Sequence, residues 1–210
     1  MNKKILLLAA VGVTGLSSSL IAGPIPYPTP GVENPVTYTF TATASGDVMG
    51  YFAGSGASYD EVVGMSVNGA PVASFGLDDH SSVVGDSFNF GSVTAGDTLV
   101  FVLNTLSPPL GLAYSDPSLN GPYDGLGAGP GHNHVYSTSA TAGQVYAGSP
   151  AGTYVAFEDL PFYSPPDWNY FDDTFIFTDV STTTSVPDSG STLMLLGMAM
   201  TGLGLLRRKA

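Results

Sequence analysis

The positive charges of this chain are confined to its two ends. The lysines and arginines are Lys3, Lys4, Arg207, Arg208 and Lys209. They stand against 17 acidic residues, and the formal net charge is -12. No carboxylate of the intervening body can therefore pair with a Lys or Arg of that body. Carboxylates that the fold brings together must be solvated, protonated, kept apart or matched by metal cations.

The same charge distribution limits the function classes. Nucleic-acid binding through a basic patch is excluded, because neutralising phosphates requires Lys or Arg. The chain has no cysteine, which excludes a disulfide framework, a thiol nucleophile and a cysteine metal site. An acidic surface that keeps an exported protein soluble would also account for the charge, without any ligand.

Short strands joined by turns are the predicted secondary structure. Val36, Tyr38, Phe40 and Ala42 alternate with threonines, which is the period of a β-strand. The dipeptide Asn68-Gly69 predicts a tight hairpin. Strands are predicted at residues 36–43, 48–53, 61–67, 71–77, 87–93, 98–104, 152–157 and 174–180. This spacing favours an all-β domain, an antiparallel β-sandwich or jelly roll, over residues 36–180, with a long loop at 106–131.

The N-terminal residues 1–22 have the features of a secretory signal peptide. Lys3 and Lys4 precede an apolar stretch at residues 5–13, and small residues follow up to a cleavage site near Ala22. An uncleaved membrane anchor is the alternative. Residues 23–35 are rich in proline, which blocks both helix and central strand, and are predicted to form an extended leader.

The segment 157–177 is the most acidic part of the chain and the candidate metal site. Calcium prefers six to eight oxygen ligands from carboxylates and carbonyls on turning backbone. The predicted ligands are Glu158, Asp159, Asp167, Asn169, Asp172 and Asp173. The alternative is a solvated acidic hairpin, in which Asp and Asn cap turns while the neighbouring aromatic residues pack the sandwich. An EF-hand is rejected, because the glycine and glutamate it requires after Asp167 are absent.

This segment also resembles a domain of unknown function found in bacterial secreted surface proteins. That domain ends in a pattern similar to FEDL…SDWDYNDxxF. The matching positions are Phe157, Glu158, Asp159, Leu160, Asp167, Asn169, Tyr170 and Asp172. Phe171 departs from the pattern at a position where Asn is common, so one oxygen donor is missing there. The resemblance implies a β-sandwich and no established reaction.

No catalytic arrangement stands out, and the chain is predicted not to be an enzyme. The Gly-x-Ser-x-Gly elbow is absent, and the body has no Lys or Arg to act as a general base or anion clamp. His132 and His134 form a His-x-His pair that could bind zinc or copper, with loop or strand-edge histidines as the alternative. A glycan-acting enzyme would need two facing carboxylates, which the sequence does not identify.

The C-terminal residues 186–210 contain three parts in a fixed order. A turn-forming motif is followed by an apolar stretch at 193–206 and then by a basic end. As a helix the apolar stretch would span about 21 Å, which makes it a short transmembrane helix. The motif is Val186, Pro187, Asp188, Ser189 and Gly190, and the basic end is Arg207, Arg208 and Lys209. Residues 181–185 are predicted to be a polar linker, and a plain membrane anchor is the alternative for the tail.

The order of these parts resembles the PEP-CTERM class of sorting signals, in its Val-Pro-Asp-Ser-Gly variant. The resemblance implies transient insertion in the inner membrane of a Gram-negative bacterium and cleavage by an exosortase. It also implies a final location at the cell surface or in an exopolysaccharide, biofilm-like matrix. Alongside this structural role, a calcium-dependent carbohydrate-binding module that stacks sugars on Trp168 and Tyr170 remains open.

Overall fold

Two antiparallel sheets form the body of the protein in the computed structural model, which describes residues 24–185. The strands are β1 Thr37–Ala42, β2 Gly46–Ser55, β3 Asp60–Val67, β4 Phe75–Gly76, β5 Ser87–Val93, β6 Thr98–Ser107, β7 Gly111–Tyr114, β8 Val135–Ala140, β9 Gly152–Phe157, β10 Asp173–Phe177 and β11 Val180–Ser185. One short 3-10 helix in this range, Pro117–Leu119, follows β7. The predicted all-β class is confirmed.

The strand order defines the two sheets. Sheet I has the order β11-β1-β6-β3-β4, and β7 pairs with the second half of β6. Sheet II has the order β5-β2-β10-β9-β8. Strands β3 and β10 therefore lie inside their sheets, and each contributes a residue to the site described below.

Aromatic side chains from both sheets meet in the core. Phe101 of sheet I stacks on Phe177 of sheet II with ring centroids 3.8 Å apart, and Phe40 contacts Phe101 edge to face. All three are buried. Such contacts join the sheets face to face, as in a β-sandwich.

The second face of sheet II is also covered, in part by the proline-rich leader. Tyr27 packs edge to face on Tyr170, with centroids 4.7 Å apart, beside the buried Tyr154 and Ile176. The side-chain amide of Asn34 donates to the Tyr38 hydroxyl at 2.8 Å. Because both of its faces are buried, β10 is buried at every position. The described part of the leader is thus packed against the domain.

The Asn68-Gly69 turn forms as predicted, but its return strand is much shorter. Both residues have positive φ values, 51° and 75°, as a tight hairpin requires. Only Phe75–Gly76 pairs with β3. The side chains of Val72 and Phe75 instead occupy the space over Gly64, where an added Cβ would lie within 2.8 Å of each.

The region 106–131, predicted to be one long loop, is partly ordered into regular structure. Strand β6 continues to Ser107, and β7 and the 3-10 helix follow. Asn120 fixes the turn after them, because its side chain bonds both backbone polar groups of Tyr114 and the carbonyl of His132. This buried amide supplies the order that the glycines and prolines alone do not.

The prediction of a linker at residues 181–185 is wrong. These residues belong to β11, which pairs with β1 from Ala42↔Val180 to Thr37↔Ser185. The threonines of this segment favour extended backbone. Val180 is buried, and its carbonyl accepts the Thr153 hydroxyl at 2.6 Å, which anchors the start of the strand.

The predicted signal peptide, transmembrane helix and sorting motif lie outside the described residues. Within residues 24–185, no helix has the length and apolar character needed to cross a membrane.

Candidate functional site

The end of the sandwich where β9 stops and β10 starts carries a dense group of carboxylates. Phe157, the last residue of β9, pairs with Asp173, the first residue of β10. Glu158 and Asp159 follow β9 directly, and Asp172 precedes β10. Neighbouring antiparallel strands run in opposite directions, so the end of one lies beside the start of the other. The ladder therefore brings these acidic residues together.

Glu158, Asp159 and Asp172 form the first group, here named the β9–β10 cluster. One carboxylate oxygen from each lies within 4.8 Å of the others. The Asp159 backbone N–H donates to Oδ2 of Asp172 at 3.0 Å. Glu158 is 0 % exposed, and neither of its carboxylate oxygens has a hydrogen-bond partner within residues 24–185.

A second group joins the two sheets and is here named the inter-sheet pair. It consists of Glu61 on β3 of sheet I and Asp173 on β10 of sheet II, both 0 % exposed. The two carboxyl groups lie close enough to perturb each other's pKa. Oε1 of Glu61 accepts the Thr105 hydroxyl at 2.6 Å. Oε2 of Glu61 and both oxygens of Asp173 find no partner in the described part of the chain.

Asp79, in the loop after β4, is hydrogen-bonded to the backbone of Glu61. Its Oδ1 accepts the Glu61 N–H at 2.8 Å, and its own N–H donates to the Glu61 carbonyl at 3.1 Å. Asp60, Asp79 and His80 form a more open group at the same end, with ligand atoms within 4.8 Å of one another. His80 is half exposed there, so this third group is in contact with solvent.

Burial and mutual repulsion raise the pKa of these carboxyl groups. Burial, and then the charges of Asp172 and Asp167, raise the pKa of Glu158 to about 9. The pKa of Asp159 and of Asp172 rises to about 7, mainly by burial. Burial and the Glu61 side chain raise the pKa of Asp173 well above its usual range. Without a cation, the raised pKa values favour the protonated forms of these carboxyl groups.

Histidines are the basic side chains that lie beside carboxylates in the body, which has no Lys or Arg. Nε2 of His134 lies 2.9 Å from Oδ1 of Asp124, and Nδ1 lies 3.0 Å from the Glu158 carbonyl. Both neighbours are acceptors, so both ring nitrogens are placed to donate hydrogen bonds. Burial raises the pKa of Asp124, but hydrogen bonds from His134 and two backbone N–H groups outweigh it and lower the pKa.

His132 and His134 do not form a shared metal site with the carboxylates of the described chain. His132 stacks on Phe162 with centroids 3.9 Å apart, and its Nδ1 lies 2.9 Å from Glu33. His134 pairs with Asp124 instead. The two rings contact different carboxylates, as structural histidines do. They do not converge on one point, which a shared zinc or copper ion would require.

The carboxylate groups have the chemistry of a hard-cation site. Buried carboxylates need ion pairs, hydrogen bonds, protons or metal cations, because leaving them charged and unpaired costs several kcal/mol each. No lysine or arginine exists in the body to pair with them. Oxygen-only donors on turning backbone suit Ca²⁺ better than softer metals.

The structure separates two of the six predicted ligands from the others. Asn169 donates from its backbone and from its side chain to Asp167, at 2.9 and 2.7 Å. Asp167 is exposed and lies in the loop before β10. It still contributes to the raised pKa of Glu158, so its charge lies near the cluster. Glu158, Asp159, Asp172 and Asp173 come together at the ends of the two strands.

Glu61 and Asp79 are not among the ligands predicted from the sequence. Glu61 lies on the face of β3 that also carries Val63 and Met65, and all three are buried. A glutamate that lies on the same face of a strand as core residues is buried with them, so this pattern could have identified Glu61 from the sequence. Asp79 had no comparable signal, because only the contact between its loop and β3 places it at the site.

Tyr170 does not present the stacking surface expected for sugar binding. It is 1 % exposed, and its hydroxyl donates to the Asn133 carbonyl at 2.8 Å. Trp168 is partly buried against the same aromatic group. A cavity of about 770 Å³ on sheet I is lined by residues such as Val72, Phe75 and Leu110 and by no carboxylate.

Together these features define an all-β protein of two packed sheets whose one end gathers buried carboxylates. The model of the VPDSG-CTERM motif matches residues 185–210. The C-terminal segment thus carries a PEP-CTERM-like sorting signal. No curated protein and no solved structure gave a match to the chain.

Proposed function

We propose that this chain is an exported surface or extracellular-matrix protein whose β-sandwich is stabilised by calcium at the β9–β10 cluster. The C-terminal signal directs transient insertion in the inner membrane of a Gram-negative cell and cleavage by an exosortase-type enzyme. The mature domain then resides at the cell surface or in exopolysaccharide. Its role there is structural and not catalytic.

The observation that carries the calcium proposal is the state of Glu158. Its carboxylate is fully buried, and both oxygens lack a hydrogen-bond partner within residues 24–185. Asp159 and Asp172 lie close enough to share one ion with it. A divalent cation would supply the charge that the body lacks and would remove the need for protonation.

The motif match at residues 185–210 supports the proposal of export and processing. The net charge of -12 makes the protein molecules repel one another, which favours solubility, and divalent cations would offset this repulsion in a matrix. Association with exopolysaccharide follows from the class of sorting signal and not from a groove in the described domain.

Thermal unfolding of the full-length protein in detergent, with calcium and with EDTA, tests the metal proposal. An ion present at 100 times its Kd stabilises the fold by about 2.7 kcal/mol, which raises Tm by roughly 5–10 °C. Replacement Glu158→Gln should lose this contribution. An unchanged Tm between calcium and EDTA would refute calcium binding.

Asp179→Asn is the matched control for Glu158→Gln. Asp179 is exposed beyond the opposite end of β10 and has a φ of 58°, a conformation that Asn also tolerates. The substitution removes one negative charge without touching the cluster. Its calcium response should equal that of the wild type.

A further inference from the structure

A second group of buried carboxylates lies beside the proposed calcium site and is not explained by it. Glu61 and Asp173 belong to different sheets, and both are 0 % exposed. Neither contributes an atom to the groups whose ligand atoms lie within 4.8 Å of one another among residues 24–185. One ion in the β9–β10 cluster would therefore leave this pair without a cation of its own.

The inter-sheet pair is fully buried but has few hydrogen-bond donors. Across the described residues, both oxygens of Asp173 and Oε2 of Glu61 are buried without a partner. Only Oε1 of Glu61 has a donor, the Thr105 hydroxyl. Buried polar atoms are almost always bonded, so three unpartnered oxygens on two neighbouring carboxyl groups point to a shared proton or a cation between them.

Charge balance leads to the same conclusion. The adjoining acidic side chains at this end of the sandwich are Glu61, Asp79, Glu158, Asp159, Asp172 and Asp173. One divalent cation cancels two negative charges of this set and leaves the remainder in mutual repulsion. The buried ring of His134 is already paired with Asp124.

We propose that the inter-sheet pair of Glu61 and Asp173 binds a second divalent cation that cross-links sheet I to sheet II. Two carboxylates that bind through both oxygens supply four of the six to eight ligands that Ca²⁺ takes, and water completes the set. The ion replaces the proton that the two carboxyl groups would otherwise share. This inference extends the proposed calcium function but uses different residues.

The cross-link has a mechanical consequence. Strand β3 is held in sheet I by β6 and β4, and β10 is held in sheet II by β2 and β9. An ion between them ties the interior strands of both sheets at one end of the sandwich. Loss of the ion should therefore loosen the contact between the sheets, and not merely a surface loop.

Counting bound calcium on the full chain tests the inference. After dialysis in detergent against saturating calcium, elemental mass spectrometry should find two ions per wild-type chain. Glu61→Gln and Glu158→Gln should each bind one, and Asp179→Asn should bind two. The glutamine variants keep the side-chain volume, and circular dichroism checks that each is folded.

The possible results separate this inference from the proposed function. One ion in the wild type that persists in Glu61→Gln and is lost in Glu158→Gln would overturn the second site alone. One ion with the opposite dependence would support the inter-sheet site and contradict the β9–β10 cluster. No bound ion would overturn both. If Glu61→Gln does not fold, Glu158→Gln decides: an ion that remains bound in this variant supports the inter-sheet site, and loss of every ion opposes it.

Discussion

Glu158 combines complete burial with a carboxylate that has no donor within residues 24–185. A carboxyl group in this setting is favourable when it is protonated or bound to a cation and unfavourable when it is a bare anion. The same residue should therefore affect stability with opposite signs in the presence and absence of metal.

Replacement of Glu158 by Gln should invert the order of stability between the two conditions. In EDTA at pH 8 to 9 the variant should melt above the wild type, because Gln needs no proton. In saturating calcium it should melt below the wild type by roughly 5–10 °C, the contribution of one ion. Differential scanning calorimetry provides the measurement. A variant that melts below the wild type in both conditions would mean that Glu158 is only a packing residue.

The buried pair of His134 and Asp124 is the other charged feature of the interior. Both side chains are 0 % exposed and are 2.9 Å apart. Replacement His134→Ala should reduce the free energy of unfolding by about 3 kcal/mol, because it leaves Asp124 buried with an uncompensated charge. Urea denaturation measures this loss.

His80→Ala provides the comparison for that variant. The His80 ring is 54 % exposed and lies about 4 Å from its carboxylate neighbours. An exposed ion pair contributes little, so the change should stay below about 1 kcal/mol. Equal losses in the two variants would contradict the special role of the buried pair.

At the scale of elements, β11 shows how a polar sequence can be part of a sheet. The segment 180–185 has few apolar residues, yet it pairs with β1 along its whole length. Thr41 and Ser181 hydroxyl groups are also 2.9 Å apart across the ladder. The sorting signal therefore follows a paired strand directly.

Hydrogen exchange should reveal this strand. In an antiparallel edge strand alternate N–H groups point to the neighbour, so about half of the amides in 181–185 should exchange slowly. Amide exchange measured by NMR on the calcium-loaded protein tests this expectation. Gly127 and Ala128, in the exposed loop before β8, serve as an internal reference for fast exchange. Uniformly fast exchange in 181–185 would indicate a linker after all.

The pH dependence of the whole molecule follows from the raised pKa values. The pKa of Glu158 rises from 4.5 to about 9 in the fold, so the folded state binds more protons than the unfolded state between these values. In EDTA, stability should therefore increase as pH falls from 9 to about 5. Calcium displaces these protons, so the calcium-dependent rise in Tm should be largest near pH 9 and should shrink toward pH 5.

Carboxyl groups with lowered pKa act in the opposite direction at more acidic pH. The exposed Asp47 and Asp97 have lowered pKa values because side-chain and backbone donors bond them. Their contribution is present above the usual value of 3.8 and is lost as pH falls below it. Stability in EDTA should thus pass through a maximum near pH 5. A steady loss of stability from pH 9 downward would contradict the buried carboxylate site.

Processing of the tail is the prediction that concerns the whole chain in its native cell. Mass spectrometry of the surface protein should find a mature C-terminus that lacks residues 193–210. A variant with Pro187 and Asp188 replaced by Ala should keep those residues and remain with the membrane fraction. An intact C-terminus on the wild-type surface protein would argue against cleavage.

The sequence by itself determined the features that depend on neighbours along the chain. Short runs of strand-forming residues between turn signals identified β5 and β9 with their observed bounds, and Asn68-Gly69 identified a hairpin turn. The acidic residues around Glu158 and Asp172 were readable because they flank two strands that pair with each other. The motif at 185–210 was readable because the order of its parts is local.

Only the tertiary structure decided which distant residues meet. It placed Glu61 against Asp173, Asp124 against His134, and β11 against β1. A strand's period tells which face a residue occupies, but the packing of one sheet on another decides what that face contacts. The positions of Lys and Arg in the sequence already show that the body contains neither. The fold decided which carboxylates would be buried together without them.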